Sequence, residues 1–122
     1  MSDNKTRHGM PSWIEHQSPQ PAEALAFYQT VLGWEIATIT MPDGGTYSCI
    51  QVDGQAIGGF AEGDGRWLPY LTVDDVDGRA RQALEAGATL EKAPFTAPGV
   101  GRICTLRDPH GARIALITYA DS

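Results

Sequence analysis

Glu15 is the residue of this chain with the most chemistry to offer. It falls in Ser12 to Gln17, a run that reads as a short strand, and in a strand alternate side chains share a face. Trp13, Glu15 and Gln17 therefore share one face, and Ile14 and His16 share the other. A carboxylate beside an indole can anchor a cation or a hydrogen-bond donor, or serve as a general base. His16 invites a metal reading because it adjoins Glu15, but the alternation turns it towards a helix and a structural role. His110 falls in the turn Asp108-Pro109-His110-Gly111, which accounts for its position, and His8 lies near the N-terminus. Trp13, Phe60, Trp67 and Tyr70 make up an aromatic set of the kind that receives planar or cationic ligands. Trp13 and Tyr70 are the two of these that best suit a pocket wall. No nucleophile elbow, Cys-X-X-Cys or His-Glu-X-X-His occurs. The connector Glu62 to Gly65 is not followed by the Lys-Ser/Thr of a phosphate loop.

The elements that must position these residues are written twice. Trp13 and Trp67 stand 54 residues apart, as do Gly33 and Gly87, and Cys49 and Cys104 stand 55 apart. A period of this size marks one supersecondary unit used twice. In the first copy Pro21 suits the first turn of a helix that continues from Ala22 to Leu32, where Ala24, Leu25, Tyr28, Val31 and Leu32 recur at three- and four-residue spacing. Gly33 is placed to cap it. Strands Trp34 to Thr40, Thr46 to Val52 and Ala56 to Ala61 follow, joined by turns at Pro42 to Gly45 and at Asp53-Gly54. In the second copy the order is strand Arg66 to Val73, helix Asp75 to Ala86 and strand Ala88 to Lys92. A loop from Pro94 to Gly101 then precedes strands Arg102 to Arg107 and Ala112 to Tyr119. The chain thus reads as an α+β domain, βαβββ followed by βαβββ, with residues 1–11 as a flexible tail. Module one spans 12–61 and module two 66–119, within a single domain 12–119. Leu71, Val73, Ile114 and Leu116 are expected beneath the second helix. Leu68, Tyr70, Arg113 and Ala115 are expected on the opposite face, looking into a cleft shared by the two modules.

A length of 122 residues suits one domain with a core of its own. Hydrophobic residues at 42% and charged residues at 20% fit a globular chain. The net charge of −6 argues against nucleic acid or an anionic membrane as partner. No apolar run approaches a membrane span, and the N-terminus has no signal-like apolar region, so a cytoplasmic location is expected. Cys49 and Cys104 are expected to be reduced, half-buried strand residues.

Ala26-Phe27-Tyr28 running into Val31-Leu32-Gly33-Trp34-Glu35, then Tyr70-Leu71-Thr72-Val73-Asp74, Ala86-Gly87-Ala88 and Asp108-Pro109-His110-Gly111-Ala112-Arg113-Ile114, occur in an order that resembles the vicinal oxygen chelate superfamily. That group holds glyoxalases, bleomycin-resistance proteins and extradiol dioxygenases, and its fold is two tandem βαβββ modules enclosing a cleft. Its catalytic members hold a divalent metal with one side chain from each of four strands. The resemblance places those positions at Trp13, at Gly58 (or Gly59 if the hairpin slips by one), at Leu68 and at Ala115, none of which can ligate a metal. It therefore implies a metal-free cleft without cofactor or assigned catalytic residue. Trp13, Glu15, Gly58, Leu68, Tyr70 and Ala115 would line it, and it would bind a small, partly aromatic or cationic molecule in the manner of a bleomycin-resistance protein. The rival reading is a metal-dependent lyase, isomerase or dioxygenase with an atypical site, such as Glu15, His16 and Gln17 after a shift of register. A third is a vestigial domain that pairs with another protein. The resemblance also implies a homodimer.

Overall fold

The computed structural model describes residues 3–120 of the chain. A short 3-10 turn, Asp3–Lys5, precedes β1 (Pro11–Ser18), α1 (Pro21–Leu32), β2 (Glu35–Thr40), β3 (Thr46–Val52) and β4 (Gln55–Glu62). The second set is β5 (Arg66–Thr72), α2 (Val76–Glu85), β6 (Thr89–Ala97), β7 (Gly101–Arg107) and β8 (Arg113–Tyr119). The order is βαβββ twice over, an α+β fold as the sequence predicts. Two compact units result: Trp13–Leu68, and the residues up to Ser12 together with those from Pro69 onward. Among the described residues no helix is long and apolar enough to cross a membrane.

Within each unit, three strands run antiparallel and the strand before the helix returns parallel to the last of them. In the first unit β1 lies parallel to β4, with Ile14 opposite Gly58, Glu15 opposite Gly59 and His16 opposite Phe60. β4 continues antiparallel to β3, and β3 to β2. In the second unit β5 lies parallel to β8, with Tyr70 opposite Ala115, and β8, β7 and β6 follow antiparallel. The parallel step is possible because a helix and two strands separate its partners, long enough for a crossover. Local signals do what they promised. Gly33 closes α1 in the left-handed region at φ 68°, its N–H bonded to the Gln29 carbonyl at 2.9 Å. Asp53 and Gly54 both take positive φ, the geometry of a tight hairpin.

The two helices cover their sheets by different means. α2 buries Val76 and Ala80 against Val73, Cys104, Leu106 and Leu116, with Leu71 and Ile114 packed alongside. These include the four strand residues that alternation assigned to this face, and each fully buried aliphatic side chain stabilises the fold by about 1.5–3 kcal/mol. α1 buries none of its residues. It rests through Tyr28 on an aromatic layer, with ring centroids 5.4 Å from His16, 5.5 Å from Trp34, 5.4 Å from Trp67 and 6.1 Å from Phe60. Phe27 and Val31 on its outer side are each 58% exposed.

Three expectations are corrected. The residues read as a flexible tail are bonded to the second unit: the Thr72 hydroxyl donates to the Asn4 carbonyl at 2.7 Å, and Gly9 and Met10 exchange backbone hydrogen bonds with Thr72 at 2.7 and 2.9 Å. On the tail's side these bonds are made by the backbone, so they leave no side-chain pattern to read. The loop expected from Pro94 is strand as far as Ala97. β6 is an edge strand with register shifts between Leu90 and Lys92 and between Lys92 and Phe95, where a proline without an N–H is tolerated. The two cysteines stand as thiols but are fully buried, and they do not occupy equivalent places. Cys104 lies beneath α2, whereas Cys49 pairs with Gly59 on the face away from α1. Their spacing of 55 against the repeat of 54 is the one-residue slip that turns a side chain to the other face.

Candidate functional site

β1 presents Trp13, Glu15 and Gln17 on the sheet face away from α1, as alternation requires, and β3 presents Tyr47 on the same face. The Gln17 side-chain amide donates to Glu15 Oε1 at 3.0 Å, and the Tyr47 hydroxyl donates to Glu15 Oε2 at 3.1 Å. The Trp13 indole N–H in turn donates to the Tyr47 hydroxyl oxygen at 3.3 Å. Each carboxylate oxygen of the half-buried Glu15 thus has one neutral donor and retains acceptor capacity. Tyr47 escaped the sequence reading, because a tyrosine in a strand signals β propensity and nothing about the residue its hydroxyl reaches.

The register settles which glycine shares this face. Gly59 pairs with Glu15, whereas Gly58, the residue first expected, pairs with Ile14 on the helix side. The register shift between Ile50 and Gln51 in the β3–β4 hairpin moves this assignment by one residue. A Cβ on Gly58 would overlap the Ile14 carbonyl oxygen, so that glycine serves strand approach and not a ligand. Leu68 and Ala115, also expected as ligand contacts, are 1% and 0% exposed and present no surface to bind. Tyr70 is half-buried in the second unit, opposite Ala115.

His16 takes the structural role the alternation gave it. Its ring centroid lies 4.8 Å from Trp67 and 5.6 Å from Phe60, and Nδ1 is buried without a hydrogen-bond partner. Loss of solvent around the ring pushes its pKa below the ordinary 6.5, so the neutral form is favoured.

The donor chemistry of a metal site is not met. Trp13, Gly58 or Gly59, Leu68 and Ala115 carry no oxygen, nitrogen or thiolate donors of the required kind. Among the described residues no three His, Cys, Asp or Glu side chains converge on one point. The atypical set Glu15, His16 and Gln17 is divided between the two faces of the sheet.

Charge marks the same unit. Residues 13–68 hold seven acidic residues and one basic residue, Arg66, a balance of −6, while the rest of the chain holds eight of each. In the second unit three acids have guanidinium partners: Glu91 lies between Arg107 at 2.6 Å and Arg113 at 2.7 Å, and Asp77 and Asp74 meet Arg102 and Arg79, each at 2.9 Å. Arg113 and then Arg107 hold the Glu91 carboxyl below the usual range, and Arg102 does the same to Asp77. Glu15 has no cationic partner among the described residues.

A hollow of about 400 Å³ opens beside α2, floored by Val73, Leu106, Ile114 and Leu116 and rimmed by His8, Arg79 and Asp108. None of the expected site residues lines it. The Arg79 guanidinium is taken up by Asp74 and Gln82, and the floor is the core surface of α2 itself. Glu15, with its charge uncompensated, has the stronger claim to be the site.

Residues 13–117 match the family model described as a glyoxalase-like domain. Over 113 residues the chain is 32% identical to CFP32 of Mycobacterium tuberculosis, named provisionally as a glyoxylase, covering 88% of this chain and 43% of that one. It is 27% identical over 127 residues to the anthracycline biosynthesis protein DnrV of Streptomyces peucetius, covering 88% and 46%. The chain therefore spans less than half the length of these relatives. Among solved structures, a variant of methylmalonyl-CoA epimerase of Streptomyces coelicolor superposes with a TM-score of 0.68 at 20% identity, over 94% of this chain and 100% of that one. The hypothetical protein BH1468 of Bacillus halodurans gives 0.71 at 12%, over 95% and 98%. At these identities the structures share the fold.

Proposed function

The chain belongs to the glyoxalase-like domain family, and from that premise we propose that it binds a small aromatic cation at Glu15 without a metal. The observation that carries this reading is the Glu15 carboxylate, held by two neutral donors and, among the described residues, lacking a cationic partner, in a unit of net charge −6. A ligand cation would supply the missing charge, and the indole of Trp13 and phenol of Tyr47 flank the carboxylate with faces that attract cations. The acidic unit raises the local concentration of such a ligand. The relatives' names, a glyoxylase and an anthracycline biosynthesis protein, both suit a small-molecule site. A homodimer is the assembly we propose, supported by the exposed apolar face of α1 around Phe27 and Val31, and sedimentation velocity tests it.

The binding test is a thermal-shift panel. Benzamidinium and benzyltrimethylammonium should raise the melting temperature and benzoate should not. Equal shifts for cation and anion would remove the role given to Glu15. Elemental analysis after soaking in divalent metals and desalting accompanies the panel. One equivalent of metal per chain would replace this reading with the metal-dependent one.

A further inference from the structure

Tyr47 stands where three constraints meet. Its hydroxyl oxygen accepts from the Trp13 indole, so its single proton is directed to Glu15. Its ring lies over Gly59: a Cβ built there would overlap the hydroxyl oxygen, Cζ and Cε2, each well inside 3.0 Å. So close an approach forces a shift, and displacing the tip of the phenol would strain its two hydrogen bonds. Across the sheet Glu15, Gly59, Cys49 and Ala37 lie opposite one another in sequence of strands, so beyond Glu15 the row holds only small side chains. The row leaves the Tyr47 ring a seat over Gly59.

We infer that Tyr47 is the positioning residue of the Glu15 site and that position 59 is glycine in order to seat it. Its functional meaning rests on Glu15 as cation anchor; its geometry does not. Trp13 and Tyr47 then act as a chain of donors ending on Glu15 that fixes the carboxylate's orientation before a ligand arrives, which reduces the ordering cost of binding. The same seat bears on the metal question. Position 59 is where the resemblance, with its one-residue slip, would put a second metal donor, and a donor side chain there has no room while the phenol is in place.

The test separates seat from hydrogen bond. Gly59→Ala should lower the melting temperature of the wild-type chain but not of Tyr47→Ala, where the seat is empty. An equal loss in both backgrounds would overturn the seat. Tyr47→Phe keeps the ring and removes the hydroxyl, so it should displace the Trp13 indole N–H resonance, assigned with Trp13→Phe, and should weaken benzamidinium binding about fivefold. An unmoved resonance, or unchanged affinity in a wild type that binds, would reduce Tyr47 to a packing residue. If the wild type fails to bind benzamidinium, the cation reading falls, and the melting and resonance results still decide the inference.

Discussion

The two units are built from one motif and stabilised in contrasting ways. The second is aliphatic beneath its helix and balanced in charge, with Glu91 held between Arg107 and Arg113 and Asp77 paired with Arg102. The first rests its helix on aromatic rings and carries the whole excess of negative charge. What the contrast teaches is that a repeated motif can divide labour. One copy pairs Asp74, Asp77 and Glu91 with arginines, and the other, among the described residues, leaves Glu15 with neutral donors alone.

The largest effect expected from breaking this contrast lies beneath α2. Leu106→Ala should cost about 2–5 kcal/mol by leaving a cavity in a packed core. Val31→Ala on α1, exposed within one chain, should stay within about 0.5 kcal/mol at protein concentrations low enough to dissociate the proposed dimer. Urea unfolding of both variants measures the difference, and similar losses would contradict the picture of α1 as a helix with a free outer face.

Acid should weaken the units in sequence. The folded chain holds His16 below its ordinary 6.5, so between those values the unfolded chain binds the proton more readily, and stability falls as pH drops below about 6.5. For Glu91 the folded value lies below the ordinary 4.5, so its contribution is present above that pH and is lost as pH falls through the folded value. Amide exchange at stepped pH should show the first unit loosening before the second, and His16→Phe should abolish the earlier phase. Simultaneous loosening of both units, only below the ordinary Glu91 value of 4.5, would be evidence against separate roles.

Salt should have the smallest effect. Arg102→Ala breaks an exposed pair with Asp77, so the loss of melting temperature should be slight and should vanish at about 1 M salt, where screening shortens to about 3 Å. A large, salt-resistant loss would mean that the second unit depends on its ion pairs more than on its apolar core.

Much of the fold could be read directly. Pro21 and Gly33 bracket α1, Asp53-Gly54 turns the hairpin, and alternation places Trp13 and Glu15 opposite His16. What escaped depends on contacts distant in sequence. Tyr47 lies 32 residues from the carboxylate it positions. Gly59 replaced Gly58 as the site's glycine because one irregularity between Ile50 and Gln51 resets the register. The N-terminal residues are held in part by backbone bonds that favour no residue type, beside the His8 ring that accepts from the Asp74 N–H, and β6 extends through Pro94 because an edge strand with bulges tolerates a missing donor. Leu68 and Ala115 lie buried in their strands, since alternation gives a face but not its exposure.

The most direct measurement is the calorimetric affinity of benzamidinium for the wild-type chain, Glu15→Gln and Glu91→Gln. At least a tenfold loss is expected in Glu15→Gln, since an uncompensated carboxylate that binds a cation contributes more than about 1.4 kcal/mol. Little change is expected in Glu91→Gln, whose carboxylate is already paired. Equal affinities for the wild type and Glu15→Gln, or a loss confined to Glu91→Gln, would contradict the role given to Glu15.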